Sequence, residues 1–565
     1  MGRISEFFGN PGVRPDLHHR APIHGASSTI KCEDPSDLLR EEDEEEKDLK
    51  EQLYQVNSLS DVSTTAELTM VNLEADGTVF TDRGFTGLDR GWTDKILDKF
   101  VSWAGTQFVF LIMWAILIIW IIVGAVYGGP DVWQVVMQDG QSIQSYIWDT
   151  LLMRQQLNSS HDQVLVCCQL RSRISTFKRF MGRRIAQLKS HESGNNEIDE
   201  TKQFDHTNVI NKIDLDTNVI KGNLPVENWY DKLSSTASNL TGSVPTMVIF
   251  WLGVIVWIIC GVIPKNAGNS PPYTGRTSGS NPELARFSDT WQMYINTAVA
   301  VSLLICTSFL QNIRARHDKY ISKFLLATFE IDEKIETKLR EHFHDFETSN
   351  PVVTIYSNKR SWGEKIIDWY ADIIGTGVGV VIAIAAFVVW LCIGSTLHWD
   401  DNWWLIIGTY TGLVGFLDGF VIRQVYFRII AHEEYNYKLV AEKDMELFEI
   451  LGLTCPEEFN GEPAKPLKLS LSYKLSSWVN HLCSTQWSVL ASIIIILGLI
   501  IAASALLWST TAQLFVNSPT MIIEEFFLIV LLQAHNWADQ QRRVEVSALL
   551  VRRHILLSYV NELFD

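Results

Sequence analysis

Positive charge is scarce in this chain. Lys and Arg total 47 against 65 Asp and Glu, a formal net charge of −18. A nucleic-acid surface needs clustered cations, so DNA and RNA are excluded as main partners. Charged residues of both signs make up only 20% of the 565 residues, while 47% are hydrophobic. There is no glycine-rich phosphate loop, no His-Glu-x-x-His pair and no nucleophile elbow, so neither an ATP-driven pump nor a hydrolase finds support. No enzyme activity and no resident cofactor are expected. No basic start followed by an apolar core precedes residue 100, which argues against a cleaved secretory signal and makes the first membrane helix the targeting signal. None of the eight Cys is placed for an extracellular disulfide, and Cys167-Cys168 has no second pair at zinc-site spacing, so reduced thiols are expected.

What the chain does have is apolar runs of bilayer length, about 20 residues at roughly 1.5 Å rise each, and an internal repeat. Lys95-Ile96, Lys232-Leu233, Lys365-Ile366 and Lys474-Leu475 open four segments. Eleven residues after each Lys stand Thr106, Ser243, Thr376 and Thr485. Fourteen further on come Trp120, Trp257, Trp390 and, in the fourth copy, Leu499; four more give Gly124, Gly261, Gly394 and Ala503. Each segment is read as one membrane helix, helix A. A second helix, B, follows a polar turn, with markers Trp133, Trp291, Trp403 and, in the fourth copy, Pro519.

The A/B turns are nearly free of Lys and Arg, whereas Arg171, Arg173, Lys178, Arg179, Arg314, Arg316 and Lys319 follow the B helices. By the positive-inside rule the turns face out and both termini face the cytosol. Beyond the membrane the B helices continue as amphipathic cytosolic helices, as the spacing of Ile321, Phe324, Leu325 and Phe329 indicates. The expected fold is all-α: a polytopic membrane protein of about eight transmembrane helices in four helical-hairpin repeats with amphipathic cytosolic helices. An acidic, largely disordered arm occupies 1–90, with the run REEDEEEKD from Arg40 to Asp48. Repeats with their cytosolic helices occupy 91–190, 225–350, 351–460 and 461–565, and a flexible cytosolic loop occupies 191–224.

The chemistry is expected on the B helices. Gln138, Ser142, Ser145 and Asp149 form one polar stripe, and Gly408, Gly412, Gly415 and Gly419 stand at the same positions of the third copy, with Asp418 beside the last. A polar stripe facing lipid costs several kcal/mol, so it must face the bundle or water. The glycines either leave space or allow close helix packing. Glu524 and Glu525 sit at membrane depth, where carboxylates need a cation, a proton or hydrogen-bonding neighbours. Overlaying the copies gives an outer layer of Gln138/Asp139, Asn296/Thr297, Gly408/Thr409 and Glu524/Glu525, and an inner layer of Asp149, Thr307, Asp418 and His535. These are mostly oxygen donors, suited to a divalent hard or first-row cation. The candidate metal set is Glu524, Glu525, Asp139, Gln138, Asn296, Asp149, Asp418 and His535. Acidic residues Asp131, Glu283, Asp289, Asp400 and Asp401 would concentrate cations at the mouth, or are merely solvated. Weaker candidates are a cytosolic group of His342, His344, Asp345 and Glu347, and the pairs His161-Asp162, His317-Asp318 and His432-Glu433.

Several long segments carry a resemblance: Gly2–Pro22, Met137–Gln156, Phe287–Asp318 (FSDTWQMYINTAVAVSLLICTSFLQNIRARHD), Asp400–Phe420 (DDNWWLIIGTYTGLVGFLDGF) and Ser518–Val546. Through them the chain closely resembles the fungal low-affinity ferrous iron permease family over nearly its whole length. The resemblance implies a multi-pass plasma-membrane transporter in iron homeostasis, taking Fe(II) and tolerating Cu, Zn, Mn or Co, without a multicopper oxidase partner. Expected partners are therefore divalent metal ions and the lipid bilayer, with the chain a monomer of four internal repeats or a homodimer. A non-selective divalent cation channel and a metal-sensing membrane scaffold are the rival readings.

Overall fold

The computed structural model describes residues 12, 14, 16–23, 71–73, 79–81, 85, 92–129, 131–192, 222–262, 279–281, 286–357, 359–399, 401–460 and 478–564. Within them a unit of three helices occurs four times. The first is α1 (Trp92–Ala104), α2 (Gln107–Tyr127) and α3 (Asp131–Glu192), and the second is α4 (Trp229–Thr241), α5 (Val244–Cys260) and α6 (Asp289–Phe343). The third is α7 (Trp362–Ile374), α8 (Gly377–Gly394) and α9 (Asp401–Leu451). The fourth is α10 (478–483), α11 (Gln486–Ala505) and α12 (Thr510–Phe564). Three two-stranded antiparallel pairs join β1 (Leu17–His19) to β6 (Val353–Ile355), β2 (Val71–Leu73) to β3 (Val79–Thr81), and β4 (Gly279–Asn281) to β5 (Arg286–Ser288).

Helix A, expected as one span, is two helices. Thr106, Ser243, Thr376 and Thr485 have extended backbone and form the N-caps of α2, α5, α8 and α11. Ser243 and Thr485 accept from the backbone N–H three residues on, satisfying one of the four orphan donors of a helix start. The break separates two chemistries. α1 and α7 are amphipathic and suit an interface, while α2 and α8 are apolar on every side and suit hydrocarbon. Across the break α4 and α5 bend by 64°.

Among the described residues, six helices are long and apolar enough to cross a membrane: α2, α6, α8, α9, α11 and α12. The bent pair α4 and α5 makes a seventh if it counts as one span. α3, needed for the eight that were expected, is not among them; its first five turns carry Gln134, Gln138, Asp139, Gln141, Gln144 and Asp149.

A tryptophan pair closes the turn of the first three units. Trp120 stacks on Trp133 with centroids 3.9 Å apart, and each indole N–H donates to the other's backbone carbonyl, at 2.9 and 2.7 Å. Trp257 and Trp291 repeat this at 3.9 Å, and Trp390 and Trp403 at 4.4 Å, with the same reciprocal bonds. The rings explain the glycine marker, because a Cβ on Gly124 would stand 2.3 Å from the Trp133 ring. In the fourth unit Leu499 and Ala512 replace the two Trp, and Ala503 replaces the Gly. Leu499 and Ala512 are separated by 13 residues, as are Trp120 and Trp133, and each long helix begins two residues before this position. Ala512 is therefore the fourth marker. Pro519, used for the overlay above, lies inside α12.

The long helices of 62, 55, 51 and 55 residues form a ring in the order α3, α6, α12, α9. At about 1.5 Å per residue each runs roughly 80 Å or more, far beyond a hydrocarbon core of about 30 Å. The excess forms a second bundle with a water-soluble type of core, where Phe177, Phe180, Ile321, Leu325, Leu447, Val551 and Ile555 are all buried. Buried ion pairs fasten it, including Arg553 to Asp332 and Asp444, and Arg340 to Glu336. The apolar helices lie outside the ring, with Ile116, Ile119, Ile249, Val381 and Ile494 exposed as lipid-facing residues are.

Part of the N-terminal segment assigned to the disordered arm is built into the bundle. β1 pairs with β6, His19 and Ala21 are buried, and the amide of Asn350 donates to Ala21 O. The acidic run Arg40–Asp48 lies outside the described residues.

Candidate functional site: a polar column inside the helix ring

The corrected register shifts the fourth copy by seven residues, two helical turns or about 10 Å. Asn517, not Glu524, stands level with Gln138, Asn296 and Gly408. Glu524 is level with Ser145 and Gly415, and His535 with Gln156, Arg314 and Tyr426.

The upper layer is a set of buried polar groups with few partners. Gln138 Nε2 donates to Thr297 Oγ1 at 3.0 Å, and its Oε1 is unbonded. Asp139 is 4% exposed; Oδ1 lies 3.0 Å from the place of a Gly408 Cβ, and Oδ2 has no partner. Asn517 Oδ1 occupies the space a Gly412 side chain would need, at 2.9 Å, and is likewise unbonded. Asn296 is fully buried with neither amide atom bonded, and Thr409 Oγ1 is unbonded. More than 90% of buried polar groups in proteins find a partner, so such a concentration marks a place that water or an ion completes.

One layer deeper, Glu524 accepts hydrogen bonds from Ser145 and Gln141 of α3 and rests against Gly415 of α9, 3.2 Å from the position of its absent Cβ. Asp149 and Asp418 lie within its electrostatic reach. Tyr370 of α7 donates to Asp418 Oδ1 at 2.7 Å. A cavity of about 50 Å³ opens here between Ser145, Asp149, Thr307, Gly415 and Glu524. Among the described residues no ion pair neutralises Asp139, Asp149, Asp418, Glu524 or Glu525. Buried like charges need a counter-ion, protons or hydrogen-bonding neighbours.

The glycine stripe of α9 is thus one wall of the column. Its four glycines face Asp139, Asn517, Thr520, Glu524 and Phe527, so small residues here admit polar side chains from α3 and α12.

The remaining candidates separate. Glu525 turns away from Glu524 and accepts from Ser302 of α6 at 2.6 Å. His535 is not in a layer with Asp149 and Asp418. It lies deeper, its Nδ1 3.2 Å from Asp539 Oδ2 and its ring against Tyr426, while Arg314 Nη1 bonds both oxygens of Asp539. His317 meets Arg543 at 3.1 Å. Asp289 is 5% exposed and accepts from Thr511, so it is not a free charge at the mouth. Glu283 and Asp400, and the side chains of Asp131 and Asp401, lie outside the described residues. At the C-terminal end of α6, His344 is its left-handed C-cap, and Thr348, with Arg183, holds the Asp345 carboxyl below the usual range. Cys167 and Cys168 are fully buried, and burial pushes the Cys168 thiol up to about 12, leaving it inert. Among the described residues no group of three or more His, Cys, Asp or Glu side chains is arranged to hold a metal.

Asn517, Gln141, Thr520 and Tyr370 were missed in the sequence. The 13-residue spacing of Leu499 and Ala512 contained the signal for Asn517 and Thr520, and Gln141 stands three residues from Gln138 in the same stripe. Tyr370 had no sequence signal, since its contact with Asp418 crosses from one helix to another.

Fold and column together define a polytopic α-helical membrane protein with a buried polar centre, the architecture of a permease. The low affinity iron permease family profile matches residues 364–428 and 472–558, the third and fourth units. The chain is 59% identical, over 100% of its length and 99% of the relative's, to the low-affinity Fe(2+) transport protein of Saccharomyces cerevisiae. It is 44% identical, over 82% of this chain and 72% of the relative, to the low-affinity iron/zinc ion transport protein fet4 of Schizosaccharomyces pombe. The chain belongs to the low-affinity iron permease family, whose members are transporters and not enzymes. No solved structure matches it.

Proposed function

We propose that this protein carries Fe(II) inward across the plasma membrane with low affinity, along the column between α3, α6, α9 and α12. The supporting observation is the set of buried, unpartnered oxygens of Gln138, Asp139, Asn296 and Asn517 above the unpaired carboxylates Asp149, Asp418 and Glu524. Four hairpins make eight spans, α3 being tolerated in the membrane because its polar stripe faces the column and not lipid. The loops at the tryptophan pairs face out and both termini face the cytosol, so one chain with its four repeats encloses one path. Partly hydrated Fe(II) is held at the upper layer by neutral oxygens and Asp139, then passes to Glu524, Asp149 and Asp418. Iron is cargo here, with no resident cofactor. Few anionic ligands give weak binding and fast release. A divalent ion gains about 4.6 kcal/mol per 100 mV of inside-negative potential, at roughly 2.3 per charge, so no second energy source is needed.

Oxygen donors discriminate poorly among first-row divalent ions. The relative named for iron and zinc supports zinc as a second cargo here, and the same oxygen donors would also take Cu, Mn and Co. The test is radiolabelled Fe(II) uptake in cells lacking their own iron permeases, comparing the native chain with Glu524→Gln, Asp149→Asn and Asp418→Asn at matched surface amounts. Loss of flux is expected in each. Native uptake in all three would remove the carboxylates from the path, and a metal response persisting without flux would favour the sensing scaffold.

A further inference from the structure

A cavity of about 430 Å³ lies outside the column, between the N-terminal segment, the chain after β6, α7, and the stretches of α3 and α9 past the membrane. Its cations are Arg14, Lys359, Arg360 and Arg428, and its carboxylates are Glu364 and Asp368. Glu364 is committed to the capping box of α7, accepting from Ser361 N at 2.8 Å. Asp368 alone serves two guanidiniums: Arg360 Nη1 at 2.8 Å, and Arg428, which bonds both its oxygens. Arg428 Nε is buried without a partner. Asp368 is 4% exposed, whereas the two Arg side chains keep 20% and 23%, so donors face the cavity and the carboxylate lies behind them. Burial lowers the Arg360 pKa, opposed by the attraction of Asp368 and Asp372 and aided by repulsion from Arg14 and Arg428. Arg14 is already paired with Asp372, but the two guanidiniums sharing Asp368 leave the cavity short of negative charge in a chain of net charge −18.

Its edges are those of a membrane interface. Tyr356 at the mouth is 71% exposed and Trp362, opening α7, is 80% exposed; such rings favour headgroup depth. The remaining wall is apolar, including Phe85, Leu157 and Val425.

We propose that this cavity binds a phosphomonoester-bearing headgroup of phosphorylated-inositol type, with Arg428, Arg360 and Lys359 as its phosphate ligands. Guanidinium forks match phosphate oxygens two at a time, and the mobile Lys adds a third donor. Basic pockets between helices on the cytosolic side suit such lipid headgroups. Placement in the cytosolic leaflet rests on the orientation proposed above, whereas the binding chemistry does not.

The test uses the full-length protein in detergent, with dioctanoyl phosphatidylinositol bisphosphate, soluble inositol trisphosphate and dioctanoyl phosphatidylcholine as probes, read by native mass spectrometry and calorimetry. Both phosphoinositol probes are expected to bind above the phosphatidylcholine control, and Lys359→Glu and Arg428→Gln to weaken them about tenfold or more. Binding of the lipid alone assigns the site to the leaflet and makes the apolar wall part of it; binding of both makes phosphate recognition sufficient. If Arg428→Gln does not fold, Lys359→Glu, an exposed position, decides. No binding above control, or undiminished binding by Lys359→Glu, overturns the proposal.

Discussion

Glu524 Oε2 lies 3.2 Å from the point where a Cβ on Gly415 would stand, so the carboxylate of α12 fills side-chain space that α9 leaves vacant. An alanine at 415 requires that carboxylate to shift by tenths of an ångström, while a valine drives it out of reach of Ser145 and Gln141. Misplacing a working group by about 1 Å can lower a rate by up to roughly 100-fold. Gly415→Val is therefore expected to reduce Fe(II) uptake about tenfold or more at normal surface level, and Gly415→Ala by less. Initial rates over a range of Fe(II) concentrations check this. A native rate for the valine variant would show that the position of Glu524 does not matter to flux.

The Trp133 ring over Gly124 makes a second prediction. Gly124→Ala places a methyl 2.3 Å from the ring, and overpacking of this kind costs about 1–3 kcal/mol. Trp133→Ala loses the stack and the bond its indole donates to Trp120 O, while the backbone carbonyl of residue 133 can still accept from Trp120; it also removes the obstacle to the methyl. The double variant should then be no less stable than Trp133→Ala alone, a non-additivity that melting curves of the four proteins measure. The fourth unit, with Ala503 and Ala512, already has this combination.

The same residues show how far sequence alone carries. Trp120, Gly124 and Trp133 interact within one turn; the four-residue step from Trp to Gly survives in three copies and the 13-residue step between the tryptophans in the first and third, which reveals the repeat. In the fourth the pair becomes Leu499 and Ala512, and Pro519 attracts the overlay because proline favours a helix start. In α12 it is interior, which nothing in its neighbours announces. The break before Thr106 was hidden for a different reason: α1 is apolar enough on one face to read as a continuation of α2. The polar stripe of α3 was legible from its periodicity. Its partners on α12 depended on a register that the missing tryptophans concealed, and the bond of Tyr370 to Asp418 joins residues 48 apart.

In the second bundle, burial pushes the Asp332 carboxyl up to about 6, against the pull of Arg553 and Arg173 and with added repulsion from Asp444 and Glu336. The unfolded chain loses this proton near its ordinary value, about 3.9. Between the two values the folded state binds more protons, so this group's stabilisation is complete below about 4 and is lost as pH rises through 6. Asp332→Asn cannot ionise. Its melting temperature relative to the native chain should rise as the pH goes from about 4 to 7, and thermal scans of both proteins across that window give the sign. A constant difference would mean that Asp332 titrates normally.

Arg14 reaches Asp372 with two parallel bonds, Nη1 to Oδ2 at 2.8 Å and Nη2 to Oδ1 at 2.5 Å, with side-chain exposures of 14% and 6%. This fork, the bond from Arg360 to Gly12 O and the β1–β6 pairing hold the N-terminal segment on α7 and the long helices. Removing the guanidinium leaves a carboxylate buried on α7, and breaking such a pair from one side typically costs about 3 kcal/mol or more. Arg14→Ala should therefore lower the melting temperature and the surface amount. Adding Asp372→Asn in that background removes the stranded charge and should recover part of the loss, although the segment stays unpinned. If the double variant is as unstable as Arg14→Ala, the cost arises from lost packing of the arginine stem on Phe85, 5.4 Å from the guanidinium carbon, and not from the stranded charge.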